Sequence, residues 1–435
     1  MIPAVTVSRR GATRLQRGHP WIYRSDVRHA RFPPGIVTIV EASGRFLGRA
    51  LFSPESEIRL RLLTDRETEI DAGWWRDQIA AAAGRREGLE IDATAYRIVH
   101  AEGDGLPSLI VDRYDDVVVM QILSAGLEAV REDVIAAVDE VLGPRAILLR
   151  NDASVRRHEQ LPLVVEEVRG PLPERVQIRE GALHFDIDLR NGQKTGAFLD
   201  QRENHVLMES RACGRALDLF TYQGAFALHL ARSAESVIGV DSSAPALAAA
   251  KRNAALNRCS NVTWTEANAF DELRRREAAG ERFETIVLDP PAFAKRRDAV
   301  HRALAGYKEI NLRAMRLLTR GGLLLTCSCS FHVHRTQFLD MLAAAAADSG
   351  RAIAIERVTG QSADHPELLT VPETGYLKGA LVRALDLPAP PTMSPRPSGA
   401  SPPECPPPRS GCGTPSRRES RRSSRHPPRR CAPPP

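Results

Sequence analysis

Two short segments carry side chains able to make and break bonds: Asp289-Pro290-Pro291-Ala292-Phe293 and Thr326-Cys327-Ser328-Cys329-Ser330. Each closes an apolar run that reads as a buried strand, Thr285–Leu288 and Leu323–Thr326. If these strands are sheet neighbours, their ends lie ~5 Å apart, and a carboxylate and a thiol face one small volume. A thiolate there can add to carbon 6 of a pyrimidine. The electron density pushed onto carbon 5 then makes that carbon nucleophilic enough to take a methyl group. Cysteine suits this work because it attacks well and leaves readily. Asp289 is the candidate partner for the ring nitrogen and exocyclic amine. Two plainer readings compete. A cysteine ending a buried strand is commonly just a small apolar residue. Cys327 and Cys329 with His332 and His334 are too compressed for usual zinc spacing, so no metal is assigned.

A donor pocket is legible upstream. The stretch from Ala216 to Phe226 reads as a strand, a tight turn and a helix, and open parallel sheets bind ligands at such strand ends. It lacks the G-x-G-x-x-G that brings backbone close to a pyrophosphate. It therefore suits a ligand without phosphate, and S-adenosylmethionine is one. Gly224 is expected to let the ligand's amino-acid end approach the backbone. Asp241, closing Val237–Asp241, is expected to accept both ribose hydroxyls, and Asn268, after the third strand, to meet the adenine. The bland alternative is that Asp218 and Asp241 merely cap helices.

The elements that must position these groups fall in residues 171–387. Strands are expected at Ala216–Phe220, Val237–Val240, Val262–Trp264, Thr285–Leu288 and Leu323–Thr326. Helices are expected at Phe226–Arg232, Ala244–Asn257, Ala303–Leu318 and Thr336–Ala347. That alternation predicts a parallel sheet with crossover helices, closed by an antiparallel pair near Ala352–Glu356 and Gly379–Ala384. Residues 1–72 read as a small β-rich domain. Residues 73–170 read as a small α/β unit, with helices through Ile79–Ala83 and from Glu128 to Leu142 and strands around Leu109–Val111, Val117–Leu123 and Ala146–Leu149. Residues 388–435, rich in Pro, Arg and Ser, cannot bury enough surface to fold and are expected to be disordered.

Composition narrows the class further. No apolar run approaches the ~20 residues of a membrane helix, and no basic, apolar-cored leader opens the chain, so a cytoplasmic protein without membrane contact is expected. The terminal stretch holds nine arginines against Glu404 and Glu419, which exceeds the net charge of +6 and leaves the body near neutral. Nucleic-acid contact by the body must then come from local patches. Arg9, Arg10, Arg14, Arg17, Arg24 and Arg28, close in sequence to Trp21 and Tyr23, are one candidate; a barrel core with a solvated basic face is the other reading. The seven cysteines show no C-x-x-C pair and no disulfide framework, as suits a reducing compartment.

The chain resembles the RlmI-type family of large-subunit ribosomal RNA cytosine-5 methyltransferases over almost all of residues 1–385. The resemblance rests on Gly18-His19-Pro20-Trp21, Glu102 to Pro107, Gly192-Gln193-Lys194-Thr195-Gly196 with Leu199-Asp200-Gln201-Arg202, and Asp218 to Gly224. It continues through Asp289-Pro290-Pro291, Gly306-Tyr307-Lys308, Ser328-Cys329-Ser330, Ala363 to Pro366 and Tyr376 to Gly379. It implies an α/β architecture: a Rossmann-like class I methyltransferase domain, an N-terminal β-barrel-like PUA domain and a small central α/β domain. S-adenosylmethionine as donor, and 23S ribosomal RNA or a large-subunit precursor as partner, follow from the same resemblance; a homodimer is carried as a further candidate partner. For the donor it implies Lys194, Thr195, Asp200, Gln201, Arg202, Asp218, Phe220, Tyr222, Gly224, Asp241, Asn268 and Asp289. For catalysis it implies Cys329, rather than Cys327, with Asp289; for RNA, Arg14, Arg17, Trp21 and Lys308. Gln223 and Asn268 depart from the family's usual Thr and Asp, and the Pro/Arg stretch is foreign to it. D-P-P-x-F also resembles the loop of exocyclic-amine methyltransferases, and a non-catalytic RNA-binding assembly factor is the third reading.

Overall fold

Short runs of alternating apolar residues build the first sheet. In the computed structural model, which describes residues 2–28, 30–294 and 296–387, it holds β1 (Ala4–Thr6), β2 (Trp21–Tyr23), β3 (Gly35–Val40), β4 (Phe46–Phe52) and β5 (Ile58–Thr64), with helix α1 (Arg9–Gln16) between the first two. The order is β1-β3-β4-β5-β2, closing on Val5, Ile22, Ile39, Phe52 and Leu60. Ser8 starts α1 by accepting a hydrogen bond from the Gly11 amide. The stretch expected to be a disordered tail lies outside the described residues.

The second unit is α2 (Ala72–Glu87), β6 (Ala95–His100), β7 (Leu109–Tyr114), β8 (Val117–Ile122), α3 (Ala125–Glu128), α4 (Arg131–Leu142), β9 (Ala146–Asn151) and β10 (Val164–Arg169). Its sheet runs β10-β9-β8-β7-β6, and Trp75 and Ile79 of α2 pack on Val99, Val111, Met120 and Leu149. Two strands here, β6 and β10, are additional to the expected set. The helix expected from Glu128 instead breaks into α3 and α4.

A hairpin, β11 (Val176–Glu180) and β12 (Leu183–Ile187), follows. Its inward Val176, Ile178, Phe185 and Ile187 share one core with Tyr114 and Val119 of the central sheet.

The third unit contains α5 (Arg202–Glu209), β13 (Arg215–Leu219), α6 (Ala225–Ala231), β14 (Ser236–Asp241), α7 (Ala244–Leu256), β15 (Val262–Glu266), α8 (Ala269–Ala278) and β16 (Phe283–Leu288). It ends with α9 (Val300–Leu317), β17 (Leu318–Ser328), α10 (Arg335–Ser349), β18 (Ile353–Gly360) and β19 (Lys378–Ala384). The seven strands run β15-β14-β13-β16-β17-β19-β18. The first five are parallel, and β19 lies antiparallel to both its neighbours. Strand order reverses between β13 and β16, where such sheets bind ligands. Register aligns Leu219 with Leu288 and Leu288 with Thr326, so the ends of β13, β16 and β17 stand side by side. Helix α8 was not expected, and α9 stops at Leu317 so that Leu318 opens β17. No described helix is long and apolar enough to cross a membrane.

Candidate active site

At the strand-order reversal lies a cavity of about 280 Å³, walled by the loop after β13, the 193–201 segment, Asp241, Asp289 to Pro291 and Cys329. The loop after β13 is held in an unusual shape: Phe220 (φ 67°) and Tyr222 (φ 49°) are left-handed without being glycine. Such residues cost of order 1–3 kcal/mol and persist where surroundings over-determine them. Here the Tyr222 amide donates to Asp241 Oδ2 (2.9 Å), and its hydroxyl accepts from the Gln193 amide (2.9 Å). Its ring meets Phe198 edge-on at 5.2 Å. The Ser243 amide donates to the other Asp241 oxygen at 2.9 Å. The Asp241 carboxylate is thereby fixed at the cavity wall with lone pairs left for a ligand.

Three expected donor residues have other duties. Gly224 (φ 83°) is not part of the cavity wall, and a Cβ there would come within 2.7 Å of the Trp264 ring, so packing and the left-handed turn require the glycine. Asn268 caps α8, accepting from the Phe270 amide at 2.9 Å, and is likewise outside the wall. Asp218 is fully buried behind the loop and accepts from the Thr221 hydroxyl. Burial, then the nearby Asp289, push it up to about 7.

The 192–202 segment splits in the same way. Lys194 lines the cavity, 2.7 Å from Asp200 Oδ2 and 4.6 Å above the Phe198 ring. Asp200 Oδ2 also accepts from the Tyr376 hydroxyl at 2.6 Å. Asp200 Oδ1 and Gln201 Nε2 are buried without partners, although both residues wall the cavity. Thr195 and Arg202, by contrast, face the protein. Thr195 donates to Asp112 (2.7 Å) and pairs with Tyr114 (2.9 Å); Arg202 grips Asp364 through two hydrogen bonds, 2.9 and 3.1 Å. They clamp the segment to its neighbours and do not reach the cavity.

The reactive corner is framed by serines. Ser330 accepts from the Ala294 amide (3.1 Å) and pairs with the Tyr307 hydroxyl (2.9 Å), while its own amide donates to Ser328 Oγ (3.3 Å). Between them Cys329, just past the end of β17, turns its sulfur to the cavity, 3.8 Å from the Pro290 carbonyl. Cys327 is fully buried under Gly379 and packs with Leu325 and Leu381. Burial, then Asp289, push the Cys329 thiol up to about 11; burial, then Asp200, push Asp289 up to about 7. Lys378, brought down to about 8 by burial, donates to the carbonyls of Ser330 and Tyr376, both at 2.7 Å. Tyr376, Lys378 and Phe198 received no role in the sequence reading, although the first two lie in a quoted motif. The Phe293 ring lies 4.5 Å from Tyr307, outside the cavity wall, whereas an amine-methylating loop would stack it on a base.

Of the residues expected to touch RNA, Arg14 and Arg17 share one open groove, while Trp21 and Lys308 lie apart from it. Trp21 donates its indole N–H to Glu102 (2.8 Å), joining the first unit to the second. Arg14 sits over Tyr23 and 3.3 Å from Asp26. Arg17 lines an open groove with Arg9, Arg10, His19 and Thr370, and Lys308 is paired with Asp348 at 2.6 Å.

Residues 5–65 match a PUA-like domain family, and residues 152–383 match the S-adenosylmethionine-dependent methyltransferase family. The ribosomal RNA large subunit methyltransferase I of Shewanella amazonensis is 41% identical over 381 residues, covering 85% of this chain and 96% of that one. Its namesake from Serratia proteamaculans is 37% identical over 390 residues, with the same coverage. Among solved structures, a candidate S-adenosylmethionine-dependent methyltransferase from Streptococcus mutans superposes with a TM-score of 0.76 at 20% identity, covering 88% of this chain and all of that one. That likeness shows a shared fold.

Proposed function

The chain belongs to the S-adenosylmethionine-dependent methyltransferase family, and from that premise we propose that it methylates carbon 5 of a cytosine in large-subunit ribosomal RNA, through a covalent adduct on Cys329. The observation that carries this reading is the contrast between the two cysteines: Cys329 opens onto the cavity beside Asp289 and Pro290, while Cys327 is sealed in the core. The relatives' large-subunit RNA substrate and the PUA-like domain support the choice of partner. This reading assigns the protein to the cytoplasm.

The bound donor supplies an electrophilic methyl group. Its cavity suits it: Asp241 offers a fixed carboxylate for a pair of ribose hydroxyls. The open acceptor on Asp200 and open donor on Gln201 suit a group carrying both kinds of hydrogen-bonding partner, as an amino-acid end does. Asp289, poised near neutrality, can give a hydrogen bond to the cytosine ring nitrogen as the adduct forms. Burial holds the Cys329 thiol neutral in the free protein, so its proton must leave as sulfur adds to carbon 6. A proton delivered to the ring nitrogen through Asp289 balances that loss, and removal of the carbon-5 proton after methyl transfer expels the thiolate.

Digestion of large-subunit RNA after reaction with methyl-labelled donor should yield labelled 5-methylcytidine; label on the exocyclic nitrogen would overturn the reading. Asp241→Ala should weaken donor binding by on the order of 1.5–3 kcal/mol, read by calorimetry, because it removes a charge-assisted, two-pronged contact. For RNA, the residues to test are Arg9 and Arg17, since Asp26 occupies Arg10 and Arg14. Reversing both charges should lower affinity and make the salt dependence shallower by roughly 0.7 per lost contact. Identical binding at every salt concentration would remove the groove from the RNA path.

A further inference from the structure

At one end of the cavity, Glu180 and His205 of its wall meet the buried His229 behind them, a cluster for which methyl transfer has no use. Glu180 ends β11, His205 lies on α5 and His229 on α6; all three are buried, and one ligating atom of each lies within 4.8 Å of the others. His205 Nδ1 is 2.7 Å, and His229 Nε2 3.2 Å, from Glu180 Oε1.

The hydrogen-bond pattern is what makes the cluster informative. His229 Nδ1 is 2.6 Å from Glu209 Oε2, and Arg232 donates to the other Glu209 oxygen at 2.6 Å. A carboxylate can only accept, so Nδ1 carries the hydrogen, and Nε2 of the neutral ring presents a lone pair. That lone pair faces the Glu180 carboxylate, is fully buried and makes no hydrogen bond. Two acceptors facing each other out of water repel unless a cation lies between them. A proton is the rival occupant.

The spacing of the two rings also fits a metal ion. The His205 and His229 rings are 5.4 Å apart between centroids, and two imidazoles on one tetrahedral ion, at about 2.0–2.1 Å per nitrogen, have centroids roughly 5 Å apart. Glu209, fixing the far nitrogen of His229, is the outer carboxylate such histidines carry. Phe226, edge-on to His205 at 4.3 Å, and Phe185, stacked on His229, form an apolar collar.

We infer that Glu180, His205 and His229 form a site for a divalent transition metal of the zinc class, with a fourth position toward the cavity that Glu180 and His205 line. The ion would fasten the β11–β12 hairpin to α5 and α6, a wall of the cavity.

The test uses the full chain, stripped with chelator and titrated with zinc and with cobalt. One equivalent of each should bind. The cobalt form should show the strong visible bands of a four-coordinate ion, with no sulfur-to-metal charge transfer, which separates this site from the chain's cysteines. His229→Gln and Glu180→Gln should lose at least about a hundredfold in affinity, and Glu209→Gln about tenfold. Zinc should raise the melting temperature of the parent protein and not that of the first two variants. If a variant fails to fold, the parent's stoichiometry and cobalt spectrum decide alone. No uptake by the stripped parent, a sulfur-type spectrum, or imidazole resonances showing His229 doubly protonated with zinc in excess would each overturn the site. Metal uptake is read without methyl transfer, so it stands or falls separately from the proposed reaction.

Discussion

Cys329→Ser should reduce methyl transfer to background, a loss on the order of 10⁴–10⁶-fold, because an unactivated hydroxyl is a far weaker nucleophile than a thiolate. Donor binding should stay within about twofold, since the sulfur borders the cavity without holding Asp241 or the loop after β13. On a continuing strand, residues 327 and 329 would share one face. Instead β17 ends at Ser328, leaving Cys327 in the core and Cys329 at the cavity. Cys327→Ser should therefore act on stability rather than chemistry, by burying a hydroxyl among Leu325, Leu377 and Leu381. RNA bearing 5-fluorocytosine at the target should trap a covalent adduct with the parent protein, because fluorine blocks the elimination step, and none with Cys329→Ser. An adduct that survives in Cys329→Ser and vanishes in Cys327→Ser would transfer the role to Cys327.

Asp364→Ala should destabilise the chain by about 3–5 kcal/mol, the usual penalty for removing one partner of a buried ion pair. Asp364 is completely buried; it receives Arg202 at 2.9 and 3.1 Å and the Arg97 amide at 2.8 Å, while its carbonyl accepts from Arg86 at 2.7 Å. Four chain segments thus meet on one residue. Burial favours its neutral form, but His365 and Arg202 outweigh that and hold the carboxyl well below its ordinary range. A carboxyl lowered on folding stabilises fully above its unfolded value, about 3.9, and loses that contribution as pH falls from there through its lower folded value. Urea midpoints for parent and variant should thus differ at neutral pH and converge in acid. A neutral-pH difference below about 1 kcal/mol would show that Arg202 finds another partner.

Much of the fold was legible because parallel strands leave a strong trace. Leu217, Val240, Ile286 and Leu324 sit in short apolar runs, each followed by a helical stretch. Helix α8 was missed because its sequence, AFDELRRREA, is dominated by charge, and two of the four residues it buries, Glu272 and Arg276, are themselves charged. β10 escaped for the same reason, being an edge strand with alternate residues in solvent. The hairpin was missed despite a clean signal, alternating Val176-x-Ile178 and Leu183-x-Phe185-x-Ile187 around Gly181. At the site, motif residues were named without knowing which way each faced. Lys194, Asp200 and Gln201 face the cavity while Thr195 and Arg202 turn to the protein, and spacing in a loop does not reveal that. Glu180, His205 and His229 left no trace as a group, since three separate elements bring them together.

The hydrogen bond from Tyr376 to Asp200 spans 176 residues, and that from Arg97 to Asp364 spans 267. A ribosome emits the chain from its N-terminus, so the 193–201 wall appears long before the residues that brace it. β19, which lies between β17 and β18, comes last of all the sheet's strands. Throughout that interval the half-built sheet ends at β17, with an unpaired edge. Closure of such distant pairs is slow because loop entropy is lost before the contacts form. The period of greatest exposure to aggregation therefore falls late in synthesis, and a truncation anywhere before Lys378 should yield a chain that cannot complete its own sheet.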